Sequence, residues 1–380
     1  MSLRDIIDAV RANSRGPSRI KPKAALNFDE HNDSVLMVYL FRGVGDAALF
    51  APLLSEFRKR YPSTGLGIVV SELAAKTLRL FNLEVDIYEV PNAWFSAINA
   101  RTKQKQEQKT PLESCLKREI QASGFTVGIE LTGSGSIPAS DWFDGLGLRY
   151  TIGWSPTVQG MTQAKTNPDF HFDHSVPDIR YHADRHWSFA LCQALSILGI
   201  DTPDQSLDVP TYSPAQNWAE KQWKNGVRIL IFPGSRDPNK RWNPDRFSEI
   251  VNKINETHEV SALVSGAPQE VALVEQVRRG MTAPSTRYAG RDLRRLLALV
   301  QTAALVITND TGPMHLSYLH GTPTVAVYKH MSPIVWGPIK ESREFITIET
   351  RNRSDHEIMK DIMRFVRQRL RRSKFAVSRR

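Results

Sequence analysis

A chain of 380 residues with 41% hydrophobic and 24% charged residues has the balance of a soluble globular protein, and length enough for two domains that each bury a core. No apolar run approaches the roughly 18 residues needed to span a bilayer, the first residues lack the apolar core of a signal peptide, and Cys115 and Cys192 alone make neither a disulfide framework nor a zinc cluster. The net charge of +10 gathers at the ends, with eight basic and no acidic residues between Arg364 and Arg380, which suits either an anionic partner or a pair of solvated tails.

Leu3, Ile6, Ile7 and Val10 have the spacing of a short amphipathic helix, and Arg11 to Pro22 reads as a linker. Regular strand–helix alternation begins at Ser34. Val35 to Leu40 is a continuous apolar run, as expected of a buried parallel strand. Arg42-Gly-Val-Gly-Asp46 follows, then a helix from about Ala47 to Arg60. Leu66–Val70 and Val85–Val90 are strands flanking a helix over Glu72–Phe81. A basic loop holding Lys103, Lys105 and Lys109 leads towards a helix. Strands follow at Phe125–Leu131 and Leu148–Ile152, a Pro-containing loop at 155–180, and a helix from His186 to Leu198 with Gly199 at its end.

Pro203, Pro210 and Pro214 mark a boundary near 200–226. A second strand–helix series then starts, with strands at Arg228–Phe232, Val260–Val264, Ala304–Ile307 and Thr322–Tyr328. Helices are expected over Pro244–Ile254, Pro268–Arg279 and Arg291–Thr302. Ser354-Asp-His-Glu357 is a capping box that opens a helix with Ile358, Met359, Ile362, Met363, Phe365, Val366 and Leu370 on one face. The expected division is an N-terminal extension over 1–33, a Rossmann-like domain over 34–205, a second over 206–350, and a C-terminal helix with basic tail over 351–380.

Four turns stand where doubly wound sheets bind ligands, outside the carboxyl ends of strands: 42–46, 234–240, 265–270 and 309–315. Asp46 opens a helix, as an N-cap or as a carboxylate held at the cleft for proton abstraction. Ser235, Lys240 and Arg241 suit a phosphate, or belong to a solvated loop. Glu270 suits ribose hydroxyls, or is a first-turn acid favoured by the helix dipole. Asp310-Thr-Gly-Pro-Met-His315 joins a strand to a helix start, where the Thr311 and Gly312 amides and the dipole favour an anion. Asp310 would orient that loop or bond a sugar hydroxyl, and His315 would donate to the phosphate.

These stretches resemble glycosyltransferase family 9, the ADP-heptose:lipopolysaccharide heptosyltransferase family. Three motifs match in order: Arg42-Gly-Val-Gly-Asp-Ala-Ala-Leu-Phe-Ala-Pro-Leu-Leu54, Pro233-Gly-Ser-x-x-x-x-Lys240-x-Trp242, and Asn309-Asp-Thr-Gly-Pro-Met-His-Leu316 with Gly321-Thr-Pro-Thr324. The resemblance implies an α/β GT-B fold, two doubly wound Rossmann-like domains facing a central cleft, and inversion at the anomeric carbon without a metal or other cofactor. Carried onto this chain, it implies Asp46 as catalytic base. It implies Ser235, Lys240, Glu270, Asp310, Thr311, Gly312 and His315 as the donor site, to which the loop's own chemistry adds Arg241. Arg42, Gly43, Lys103, Lys105 and Lys109 are the expected acceptor contacts. The expected partners are a nucleotide-sugar donor, ADP-heptose foremost, and an anionic glycolipid of the lipopolysaccharide inner core. The expected location is cytoplasmic, peripheral at the anionic cytoplasmic face of the inner membrane. Two alternatives stay open: a family 9 transferase with another donor or a protein or O-chain acceptor, and a catalytically silent anion- or nucleic-acid-binding protein. Nucleic acid is not the expected partner, since no recognised motif for it occurs.

Overall fold

The computed structural model describes residues 26–40, 43–91, 111–131, 143, 145–154, 172–176, 185–201, 207–339 and 342–370. The expected N-terminal helix and linker, the loop at 101–110, most of the loop at 155–180 and the tail beyond Leu370 lie outside them.

The described strands form two six-stranded sheets in which every pairing is parallel. The first holds β1 (Ser34–Tyr39), β2 (Gly65–Ser71), β3 (Asp86–Val90), β4 (Val127–Glu130), β5 (Tyr150–Trp154) and β6 (His174–Val176), ordered β3-β2-β1-β4-β5-β6. The second holds β7 (Val227–Phe232), β8 (Val260–Ser265), β9 (Ser285–Tyr288), β10 (Leu305–Asn309), β11 (Thr324–Tyr328) and β12 (Phe345–Glu349), ordered β9-β8-β7-β10-β11-β12. Counted from its own first strand, each sheet therefore runs 3-2-1-4-5-6. The order reverses between β1 and β4 in one sheet and between β7 and β10 in the other. Loops leaving those strands diverge and open a crevice, so each sheet offers one ligand position at its switch point.

Val35 to Leu40 and Leu230 to Phe232 are buried throughout, which is why they read as apolar runs rather than alternating ones. Helices cover the sheets: α1 (Val44–Arg60), α2 (Glu72–Leu78), α3 (Pro111–Ala122), α4 (Trp187–Leu195), α5 (Ser213–Glu220), α6 (Pro244–Asn255), α7 (Val271–Arg279), α8 (Leu293–Thr302), α9 (Gly312–His320), the single turn α10 (Pro333–Trp336) and α11 (Asp355–Leu370). Gly199 ends the α4 segment in the left-handed conformation, φ 70°. The Ser354 and Glu357 side chains bond each other's backbone N–H ahead of α11, and all seven residues of its expected apolar face are buried. No helix among the described residues is long and apolar enough to cross a membrane.

Besides the unread strands β6, β9 and β12, two details differ from expectation. The stretch read as a boundary carries α5, which Pro214 helps to start and whose Ala215 and Ala219 pack with β7 and β10 residues. α1 begins at Val44, with Gly43 as N-cap. Asp46 is therefore the third helical residue and reaches back to the cap, which is the acidic arm of a capping box rather than an N-cap.

The apolar core of the first sheet does not stop at its own elements. Leu297 of α8, Leu316 of α9 and Val335 of α10 belong to the same buried cluster as Ala47, Phe50 and Leu191. The two sheets are thus joined by shared core as well as by chain.

Candidate active site

The N-terminal turns of α1 and α9 meet where the two switch points face each other. A Cβ built on Gly45 would lie 2.6 Å from His315 Cδ2 and 3.4 Å from the Gly312 Cα, and one on Gly312 would lie 2.7 Å from Val44 Cβ. Only glycine permits this approach, since an ordinary carbon contact is about 3.5–4.0 Å. The crossing brings Asp46, from the first sheet, to the loop that follows β7 and the turn that follows β10.

Asp46 Oδ2 accepts the Gly43 N–H at 2.9 Å. Its backbone carbonyl accepts the Tyr39 hydroxyl at 3.3 Å. Burial pushes its carboxyl above the usual aspartate range, while the Gly43 N–H and the charges of Arg236 and Lys240 pull the other way. A carboxylate in that position is anchored and is more basic than a solvated one. It can accept a proton while retaining cationic neighbours that favour anions beside it.

Across the junction, Lys240 Nζ bonds Asp310 Oδ2 at 2.9 Å, with Asp310 only 7% exposed. Asn309 holds this loop to β10: its Oδ1 accepts the Trp242 N–H at 3.0 Å and its Nδ2 donates to the Pro233 carbonyl at 2.7 Å. Arg241 curls back, donating from Nε and Nη2 to the Ser235 carbonyl and pairing with Glu270 at 3.4 Å. Glu270 also accepts the Ala267 N–H at 2.9 Å and lies against Gly234, where a Cβ would meet its carboxylate at 2.3 Å. Thr311 is the N-cap of α9 in extended conformation, and its own side chain makes no capping hydrogen bond. Together these set a cation, a helix N-terminus and carboxylates on neighbouring turns, an arrangement that favours an anion beside the helix start.

His315, on the first turn of α9, is 5% exposed, and burial with the nearby His186 and Lys240 lowers its pKa to about 3. It is a neutral imidazole at physiological pH. His186, N-cap of α4, accepts the Ser188 N–H at Nδ1, so its Nε2 carries the proton donated to the Gly337 carbonyl at 3.0 Å. Burial lowers its pKa to about 4. Among the described residues no group of three or more His, Cys, Asp or Glu side chains is arranged to hold a metal ion.

Asp46, Gly43, Ser235, Lys240, Arg241, Glu270, Asp310, Thr311, Gly312 and His315 thus all lie on the turns around this junction. Arg42, Lys103, Lys105 and Lys109 lie outside the described residues. Three residues here carried no assignment from sequence. Asn309 stands inside a quoted motif, where a polar side chain ending a buried strand is the available clue. Arg236 follows Ser235 in another motif. His186 has no sequence signal at all.

The family model of glycosyltransferase family 9 (heptosyltransferase) matches residues 115–364, a span that holds the loop after β7 and the turn after β10 but not Asp46. The chain is 27% identical over 127 residues to the lipopolysaccharide core heptosyltransferase OpsX of Haemophilus influenzae, covering 33% of this chain and 36% of that one, about a third of the relative's length. It is 23% identical over 314 residues to lipopolysaccharide heptosyltransferase 3 of Escherichia coli K12, covering 78% of this chain and 83% of that one. Among solved structures, E. coli heptosyltransferase WaaC with ADP superposes with a TM-score of 0.62 at 15% identity, covering 88% of this chain and 99% of that one. The shared fold is GT-B, two Rossmann-like units with switch points facing one cleft. With a family model matched along well over half its length, this chain belongs to glycosyltransferase family 9.

Proposed function

We propose that the protein transfers a heptose from ADP-heptose to a hydroxyl of the lipopolysaccharide inner core, with inversion at the anomeric carbon. One observation carries this reading: a half-buried carboxylate on α1, made more basic by desolvation, stands across a glycine-to-glycine crossing from a lysine and a helix start whose N-cap side chain makes no capping bond. That is the separation of roles that an in-line displacement requires. Asp46 takes the proton of the acceptor hydroxyl as its oxygen attacks the anomeric carbon. The bond to the donor's diphosphate breaks on the opposite face. Lys240, the Thr311 and Gly312 amides and the α9 dipole stabilise the departing charge, so positive charge comes from the protein and not from a metal ion.

The Lys240–Asp310 pair fits this sequence of events. Asp310 is ion-paired with the lysine. A diphosphate would take over Lys240, releasing Asp310 to accept a sugar hydroxyl. Neutral His315 would donate to the phosphate, and Ser235 and Arg241 belong to the same loop. Glu270, fixed beside Gly234, is the group offered to the ribose. The choice of an ADP-linked donor is supported by the structural relative solved with ADP, and that of acceptor by the names of the curated relatives. Arg42, Gly43 and the basic residues Lys103, Lys105 and Lys109 are assigned to the anionic acceptor. The net charge of +10 supports a peripheral stay at an anionic membrane face.

The test is transfer from ADP-heptose to a heptose-deficient core oligosaccharide, followed by ADP release. Asp46→Ala should lose on the order of 100- to 10,000-fold in kcat and keep its ADP affinity. Lys240→Ala should weaken ADP binding. If a thermal-shift panel of nucleotide sugars stabilises the protein with a different donor and not with ADP-heptose, the donor assignment is wrong. If Asp46→Ala turns over normally, the base is elsewhere.

A further inference from the structure

A second bridge crosses between the two sheets behind the junction. Tyr39, the last residue of β1, is fully buried and stacks on Phe50 of α1, with ring centroids 4.5 Å apart. Its hydroxyl donates to the Asp46 carbonyl and accepts the Trp187 Nε1–H, each at 3.3 Å. Trp187 opens α4. Its indole stacks on Trp336 of α10, with centroids 5.4 Å apart and planes 25° from parallel. The neighbouring His186 fastens the same turn to Gly337. Trp336 is tied in turn to the donor side. Its carbonyl accepts the Tyr328 hydroxyl at 3.2 Å, and that hydroxyl lies 3.1 Å from Met314 Sδ on α9.

We propose that Trp187 and Trp336 form a latch that registers the donor-side elements and sets the position of Asp46, with Trp187 as a positioning residue for the base. The proton order supports a directed chain: indole N–H to phenol oxygen, phenol O–H to the Asp46 carbonyl. A phenol has a single proton, so it can serve both neighbours only in this sense. The last link holds the helical turn that carries the Asp46 carboxylate. Movement of α9 or α10 on donor binding is passed through the stacked indoles to that turn, and a loosened stack releases it. The proposal rests on Asp46 being the base.

Three variants separate the links. Trp187→Phe deletes the indole N–H and keeps an aromatic ring against Trp336. Trp336→Leu deletes the stack and keeps the indole–phenol bond. Tyr39→Phe cuts the chain next to Asp46 and leaves both indoles. Each should lower kcat about tenfold, with ADP affinity within about twofold of wild type. Trp187→Phe combined with Trp336→Leu should also sit near tenfold, because both interrupt one path. Circular dichroism gives an independent signature: the stacked indoles should produce an exciton couplet that changes when ADP is added. It should survive in Tyr39→Phe and vanish in Trp336→Leu.

The latch is overturned by wild-type kcat in Trp187→Phe or Tyr39→Phe. Single effects that multiply to about a hundredfold in the double variant, ADP affinity falling in step with kcat, or no couplet in the wild type would each overturn it too. Asp46→Ala distinguishes the two levels. If it is inactive while Trp187→Phe is normal, only the latch fails; if it turns over, the base assignment fails and takes the latch with it.

Discussion

Replacing Gly45 by alanine should reverse the usual effect of that substitution. Within a helix the change normally gains about 0.5–1 kcal/mol, because alanine loses less backbone freedom on folding. Here the new Cβ would lie 2.6 Å from His315 Cδ2 and 3.1 Å from its Nε2, about 1 Å inside normal contact. His315 is 5% exposed and cannot swing into solvent. The helices must therefore separate, and an overpacked core site costs about 1–3 kcal/mol. The net is a destabilisation of about 0–2.5 kcal/mol, seen as a fall of a few degrees at most in a chain this long. Activity should suffer far more. A displacement of about 1 Å between the base and the leaving-group grip costs on the order of a hundredfold in kcat. Calorimetry, turnover and ADP titration on the variant test this. A Gly45→Ala protein that melts higher than wild type and turns over normally would refute the close crossing and the geometry built on it.

Asn309→Leu keeps most of the side-chain volume but strands the Trp242 N–H and the Pro233 carbonyl. It should cost on the order of 2–4 kcal/mol in denaturant unfolding and weaken ADP binding; a loss below about 0.5 kcal/mol would contradict the clamp role. The acidic limb of the kcat/KM profile should follow Asp46 and lie above the ordinary aspartate range, because burial outweighs its hydrogen bond and cationic neighbours. Arg236→Gln removes one of those cations, so the limb should move to higher pH; a downward move would contradict the assignment. His186 and His315 are buried neutral with pKa values of about 4 and about 3. Unfolding restores them to about 6.5. Between those values the unfolded chain binds more protons, so stability is complete above about pH 6.5 and falls as pH drops towards 4. The loss should be on the order of 2 kcal/mol per histidine between pH 7 and 5, measurable by urea unfolding, with His186→Gln removing about half.

The central strands of both sheets were legible because burial on two faces demands unbroken apolar runs, as in Val35–Leu40 and Ile229–Phe232. Three of the four edge strands were not, β3 being the exception. β9 reads Ser-Thr-Arg-Tyr and is no more than half-buried along its length, so no apolar run marks it; β6 and β12 were missed as well. α5 was hidden behind Pro210 and Pro214, although a proline in the first turn is itself a helix-start signal. Most site residues were legible for a topological reason: they follow strand ends, and strand ends can be located from sequence. What could not be read is any feature requiring two distant stretches at once. Asn309 reaches residues 67 and 76 positions away, His186 reaches Gly337 across 151, and Gly45 needs to be glycine only because of Gly312 and His315. Each depends on how the sheets are brought together, which local pattern does not encode.

The buried cluster that runs from α1 and α4 into Leu297, Leu316 and Val335 bears on how the molecule comes apart. Rossmann-like units often behave as separable modules joined by a polar seam. Here, detaching one half would strip apolar cover from the other, at about 25 cal/mol for each Å² uncovered. The seam is therefore part of each half's interior, and their melting should be mutually dependent. A substitution along the buried faces of α1, α4 or α9 should therefore change the folding cooperativity of both halves together.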